Sequence, residues 1–329
     1  MLIHHRRTRS TPVTSFSRDL LAIRRTLKDL ARKGEITRSM EQMLSDWGRS
    51  LESDAENIQD FTLECQYQVL GWILDLSAAV KILDGGPRTP NTRVRKLIVE
   101  CVRRILGYNA KVDLIVVPSN LKWKTLWCKA QHDPKTGEIA FILFLSPVID
   151  YTQPKLLPRI VHEAGHADSH ALELVGRGSS QDRWLGEASC DLIALLLSGP
   201  ANLFSISEMV TAVGVELAKH STYSHPSLIL RTAIMREIAV EIWRATKIEG
   251  LVKEALGPIE NIDVPVGERD ERSSLSRGLI DSLPGYRRID IGTEIWEGVY
   301  RGGVSASRGY PMLVSLNAFF AASRKGGGG

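Results

Sequence analysis

Between residues 111 and 147 the period of the sequence changes, and that change limits what the chain can build. The runs "KVDLIVVPSN", "KWKTLWCKA" and "EIAFILFLSP" are short, β-branched and aromatic, and they are parted by "SN" and by "HDPKTG", which is strand and turn punctuation. Three such runs make one small sheet, expected to be mainly antiparallel. Everything around them follows a helical period. In "SRDLLAIRRTLKDLARKG" the residues Leu20, Leu21, Ile23, Leu27 and Leu30 recur near 3.6, and Gly34 offers a stop. A longer stretch then ends at Gly85 and Gly86, and "NTRVRKLIVECVRRILGYN" opens on an Asn cap and stops at Gly107. After the sheet, helices are expected over residues 156–174, 183–197, 206–217 and 226–246, while 257–288 reads as polar and loop-rich. The fold class expected is α+β. Its parts are a helical N-terminal module over 1–108 with a basic tail at 1–16, a central domain over 109–256, and a loop-rich and helical extension over 257–329.

Composition narrows the class further. With 329 residues, 43% hydrophobic and 24% charged, the chain can bury one large core or two modest ones. The most apolar stretch, "ALLLSGPANLF", is interrupted by Gly199 and Pro200 and is shorter than the roughly 18 to 20 residues a membrane span needs. No membrane insertion is expected. The N-terminus carries charge with no apolar segment behind it, so no secretory signal is read and a cytoplasmic location is expected. Cys65, Cys101, Cys128 and Cys190 have no CxxC spacing and are expected as buried free thiols. Residues 1–40 hold ten Lys/Arg against three Asp/Glu. That local +7 within a net +4 is read as a solvated face and tail in preference to a nucleic-acid patch.

The chemistry concentrates in "LPRIVHEAGHADSH". On a helix, His162 and His166 project from one face and can offer imidazole nitrogens to one metal ion, with Glu163 beside them as a base. Ala164 and Gly165 keep the space between them small, and Gly165 permits a close backbone approach. HExxH alone also describes two surface histidines on an amphipathic helix, so a third ligand is the test. His170 lies a further ~6 Å along the axis, too far to share the ion. Position 172 is Leu, which excludes the extended HExxHxxGxxH pattern. The better third ligand is Glu187 in "WLGEASCDLIALLLSGP", with Asp191 one turn later placed to accept a hydrogen bond from a ligand histidine. A plain helix-dipole role is the bland alternative for Glu187.

HExxH followed about twenty residues later by ExxxD resembles the gluzincin peptidases, and "EASCDLIALLLSGP" resembles the corresponding helix of the ImmA/IrrE-type peptidases. "TYSHPSLILRTAIM" is similar to the signature of the CAAX prenyl endopeptidase and heat-shock membrane peptidase family. The resemblance spans residues 139–240, without that family's membrane helices. It implies a zincin-like domain in which His162, His166 and Glu187 bind Zn2+, Glu163 is the general base and Asp191 supports the ligands. It also implies that His225 stabilises the developing charge on the substrate carbonyl oxygen, with Arg231 positioning the His225 segment. Pro226 suits a first helical turn, which would put His225 at the N-cap, and capping is the rival reading. The run 138–147 is either a peptide-binding cleft-edge strand or a plain core strand.

The expected activity is zinc-dependent endopeptidase cleavage of a protein or peptide substrate, with the N-terminal helices as a cover or regulatory module. The alternative is a metal-binding regulatory or interaction module with little turnover. In a further variant Arg6, Arg7, Arg9, Arg24 and Arg25 contact nucleic acid.

Overall fold

The computed structural model describes residues 12–58, 61–85, 92–119, 126–133, 135–146, 153, 156–168, 171, 179–222, 225–259, 261–287 and 289–301. His170 and the proposed arginines at 6, 7 and 9 lie outside them. The fold is α+β and mostly helical, with one three-stranded sheet. No helix among the described residues is long and apolar enough to cross a membrane.

The chain divides into two compact units, Met1–Pro90 with Asp113–Ile149, and Asn91–Val112 with Asp150–Gly329. This is not the division at 108 and 256 that texture suggested. The sheet belongs with the first three helices, and the fourth helix belongs with everything after residue 150. Local period identifies a helix but not its neighbours, because the neighbours are chosen by which apolar faces fit.

The first unit contains α1 (Pro12–Lys33), α2 (Arg38–Glu56), α3 (Leu63–Leu83), β1 (Lys111–Pro118), β2 (Leu126–Asp133) and β3 (Glu138–Leu145). Leu20, Leu27 and Leu30 of α1, Met40, Leu44 and Leu51 of α2, and Leu76 of α3 share a buried core with Ile142 and Phe144 of β3. Trp127 stacks on Phe144 with centroids 4.0 Å apart, and Trp47 meets both rings edge-on at 5.6 Å. Such arrangements suit the ring quadrupoles. Thr37 caps α2 through Met40 N–H and donates to Asp113 Oδ2 at 2.8 Å, which fastens the start of that helix to β1.

Strand order is β1-β3-β2, so the run 138–145 is the central strand. The cleft-edge reading of this strand is therefore corrected. β3 pairs antiparallel with β2 in register Cys128↔Leu143. On the other side, Ser119 N–H donates to Leu145 O, so the C-terminal ends of β1 and β3 lie together and the sheet is mixed instead of mainly antiparallel. Residues 139–144 are wholly enclosed, as expected of a strand apolar on both faces. Cys65 is exposed and Cys128 half-buried, against the expectation of buried thiols; only Cys101 and Cys190 are enclosed.

The second unit contains α4 (Thr92–Leu106), α5 (Leu157–Gly165), α6 (Ser180–Ser198), α7 (Pro200–Val213), α8 (Val215–Ala218), α9 (Leu228–Trp243), α10 (Glu249–Leu256), α11 (Arg269–Tyr286) and α12 (Thr293–Arg301). Val94, Leu97, Ile98, Cys101, Val102 and Ile105 form the buried stripe of α4, which packs on α5. α6 is buried from Gly186 to Ser198 without a break and packs against α5, α7, α9 and α11. Gly199 turns the chain from α6 into α7 at φ +57°, and a Cβ there would meet the Trp296 ring at 2.8 Å. Both the conformation and the space call for glycine. The region 257–288 is not loop-rich as expected, since α11 runs through Pro284. Only Leu275, Ser276, Leu279 and Tyr286 of α11 are buried, too few to impose a visible period.

Candidate metal centre

Two helices bring the ligand-type residues together. α5 supplies His162 and Glu163, and His166 is its C-cap with φ −64° and ψ −6°, so the expected helix over 156–174 stops after Gly165. The chain still completes the turn that sets His166 beside His162, with ring centroids 5.6 Å apart and planes at 90°. α6 begins at its Ser179 cap and carries Glu187, Cys190 and Asp191 on the side that faces α5. Gly165 is the contact point: a Cβ there would come within 2.9 Å of Cys190 Cα. The close approach read from the sequence is therefore present.

His162 Nε2 lies 3.4 Å from Glu187 Oε2, and His166 Nε2 lies 3.8 Å from Glu187 Oε1. The three residues present ligand-type atoms within 4.8 Å of one another. Tetrahedral ligands about 2.0–2.1 Å from zinc stand roughly 3.4 Å apart, so this cluster is close to ligation spacing. Glu187 Oε2 is buried and has no hydrogen-bond partner among the described residues. Without a hydrogen bond, this oxygen is held only by the charge of the imidazoles around it, and a cation between the three groups would coordinate it directly.

The ring of His162 is held from behind. Its Nδ1 is 2.8 Å from Asp191 Oδ1, the arrangement that would keep the ring proton on Nδ1 when a metal displaces the one on Nε2. Arg231 on α9 grips Asp191 with two bonds, Nε to Oδ2 at 2.7 Å and Nη2 to Oδ1 at 2.6 Å. Arg231 thus acts on Asp191, where the family resemblance placed it under the His225 segment. That segment is held by Thr222, which accepts from His225 N–H at 3.0 Å and donates its own N–H to His225 O at 2.8 Å. Trp184, one turn before Glu187, donates its indole N–H to Thr222 O at 3.1 Å.

His225 is not a cap. Ser227 holds that position, accepting from Leu230 N–H, and Glu268 accepts from both the Ser227 hydroxyl and its N–H. Pro226 precedes the cap. Serine is the better residue for the place, and its hydroxyl reaches the free N–H of the first turn. The His225 imidazole is free of that duty and points its Nε2 at Glu187 Oε1, 3.4 Å away, with its side chain 46% exposed.

Charge in the centre is strongly coupled. Burial alone would raise Glu187, yet His166, His162 and His225 together hold it well below the usual carboxylate range. Burial also opposes ionisation of Asp191, and Arg231 and His162 overcome it. For His162 burial favours the neutral ring, but Asp191 and Glu187 outweigh it and push the ring up to about 10. Such a cluster strongly favours positive charge at its middle. Burial keeps the Cys190 thiol well above its ordinary value, so this group stays neutral.

The structure therefore brings together His162, His166, Glu187, Asp191, Arg231 and His225, and sets Glu163 on α5, half-buried. Sequence reasoning missed four supports. Cys190 Sγ lies 3.4 Å from His166 Nδ1. Asp168, just beyond the second histidine, accepts from Ala171 N–H at 3.1 Å and faces the Tyr286 hydroxyl at 3.4 Å. Glu268 anchors α9, and Trp184 anchors the loop before His225. Asp168 had a local signal, a short polar residue at a helix end. The others act across 24 to 41 residues and leave no spacing to read. Comparison with protein-family models, with curated proteins and with solved structures finds no match to this chain.

Proposed function

We propose that the chain is a zinc-dependent endopeptidase of the gluzincin type, with His162, His166 and Glu187 as the residues that hold the metal. The observation that carries this reading is the convergence of their ligand atoms within 4.8 Å around a buried Glu187 oxygen with no hydrogen-bond partner. The Asp191 carboxylate behind His162 supports it. A zinc ion bound there would supply the Lewis acidity that makes water a nucleophile near neutral pH. Glu163 takes the proton of the attacking water and returns it to the leaving amine nitrogen. His225, the most exposed of the clustered histidines, donates an N–H to the substrate carbonyl oxygen as charge builds on it. A peptide in extended form is the substrate class this chemistry requires.

The test is metal analysis of protein purified without chelator. The wild type is expected to hold about one zinc, and His162→Ala to lose it. Equal zinc in the two proteins sinks the assignment. His225 adds a second expectation. Since Ser227 is the cap, His225→Ala should keep its zinc and melting temperature while peptide hydrolysis falls on the order of 10²-fold. Full activity in this variant would remove His225 from the mechanism.

A further inference from the structure

The two imidazoles of the centre are backed by different groups. Behind His162 stands the Asp191 carboxylate at 2.8 Å, whereas behind His166 stands the Cys190 sulfur at 3.4 Å from Nδ1. We infer that Cys190 is a positioning residue for His166: its sulfur accepts the Nδ1–H and fixes the ring with Nε2 turned toward Glu187. The inference rests on the zinc reading above and extends it to a residue that neither motif includes.

Three observations support it. His166 Nε2 is the nitrogen on the Glu187 side, so ligation there leaves the ring proton on Nδ1, which then needs an acceptor. Cys190 is wholly enclosed, so no water competes for that proton. The absence of a side chain at Gly165 lets the Cys190 backbone come close enough, since a Cβ at 165 would stand 2.9 Å from Cys190 Cα and 3.0 Å from its Cβ. The choice of a neutral acceptor also has a reason. Glu187 and Asp191 already place two buried carboxylates on this part of α6, and a third would meet both as a like charge. A thiol is a weak acceptor, but it accepts without adding charge.

The experiment is a zinc-affinity measurement, by competition with a chromophoric chelator, on wild type, Cys190→Ala and Cys190→Ser, with the melting temperature of each zinc-free protein as the control for folding. Cys190→Ala is expected to bind zinc about 10- to 100-fold more weakly. Cys190→Ser, whose hydroxyl can accept the same proton, should recover most of that loss while its zinc-free melting temperature stays near that of Cys190→Ala. A simple packing role predicts no such rescue. Zinc binding by Cys190→Ala as tight as wild type overturns the inference, and so does a Cys190→Ser no better than Cys190→Ala. Histidine-15N-labelled wild type supplies a readout that needs no variant: a slowly exchanging His166 Nδ1–H resonance in the zinc-loaded protein supports the bond, and its absence overturns it. A wild type that takes up no zinc in the same titration defeats the proposed function itself, and this inference with it.

Discussion

Glu163→Gln should cut hydrolysis about 10²-fold or more and leave the proposed metal in place. The substitution keeps the length of the side chain and a good helix former at a position inside α5, so His162 and His166 keep their approach to Glu187. It removes only the capacity to accept and return a proton. General acid–base assistance contributes roughly 10² to 10⁴ in rate, so cleavage of a quenched-fluorescent peptide library by the zinc-loaded protein should fall by a factor of about 10² or more. Zinc content measured on the same sample should match the wild type. Retention of both zinc and full turnover would exclude Glu163 as the base, and loss of zinc would show that it acts in binding. An alternative role as a metal-binding module without turnover predicts that wild type and variant are equally inactive on every peptide.

Arg231→Met should produce the largest loss of stability. Asp191 is buried and accepts two bonds from Arg231, at 2.6 and 2.7 Å. Removing the guanidinium leaves that carboxylate facing only the His162 ring, and breaking a buried pair from one side costs about 3–5 kcal/mol. Denaturant unfolding of the zinc-free protein is the direct measurement. The double variant Asp191→Leu with Arg231→Met should regain much of the loss, because neither member of the pair is then left without the other. A single-variant cost below about 1 kcal/mol would show that the pair contributes little to the unit. Zinc affinity should fall in both variants, since both disturb the group behind His162 Nδ1.

Much of the candidate centre was legible because its parts are local. His162 and His166 are one turn apart, Glu187 and Asp191 likewise, and each pair lies on or at the end of a helix with a readable apolar face. What spacing could not supply was partner choice. Nothing in the composition of "TRVRKLIVECVRRIL" says that α4 packs on α5 and leaves the first three helices to the sheet. β3 is apolar from Ile139 to Leu145, which describes a strand buried on both faces but not which strands flank it. The end of α5 was misjudged because the apolar pattern continues past Gly165, while the backbone turns at His166 and Asp168 accepts the N–H of Ala171. His225 was placed at the cap because proline suits a first helical turn. The structure instead starts α9 from Ser227, whose hydroxyl is secured by Glu268 from 41 residues away.

The enclosure of α6 has a thermodynamic consequence. From Gly186 to Ser198 no face of this helix reaches solvent, and close-packed neighbours leave it little room to roll or slide. Glu187, Cys190 and Asp191 therefore keep one angular spacing fixed by the interior and not by whatever binds among them. In small zinc domains ion capture and chain folding are a single event, and the affinity measured is largely diminished by the ordering it must drive. Under the proposed zinc reading the order is supplied in advance by apolar burial, so the free energy of capture would be available as affinity, and the ion would enter a finished interior as a guest instead of founding it.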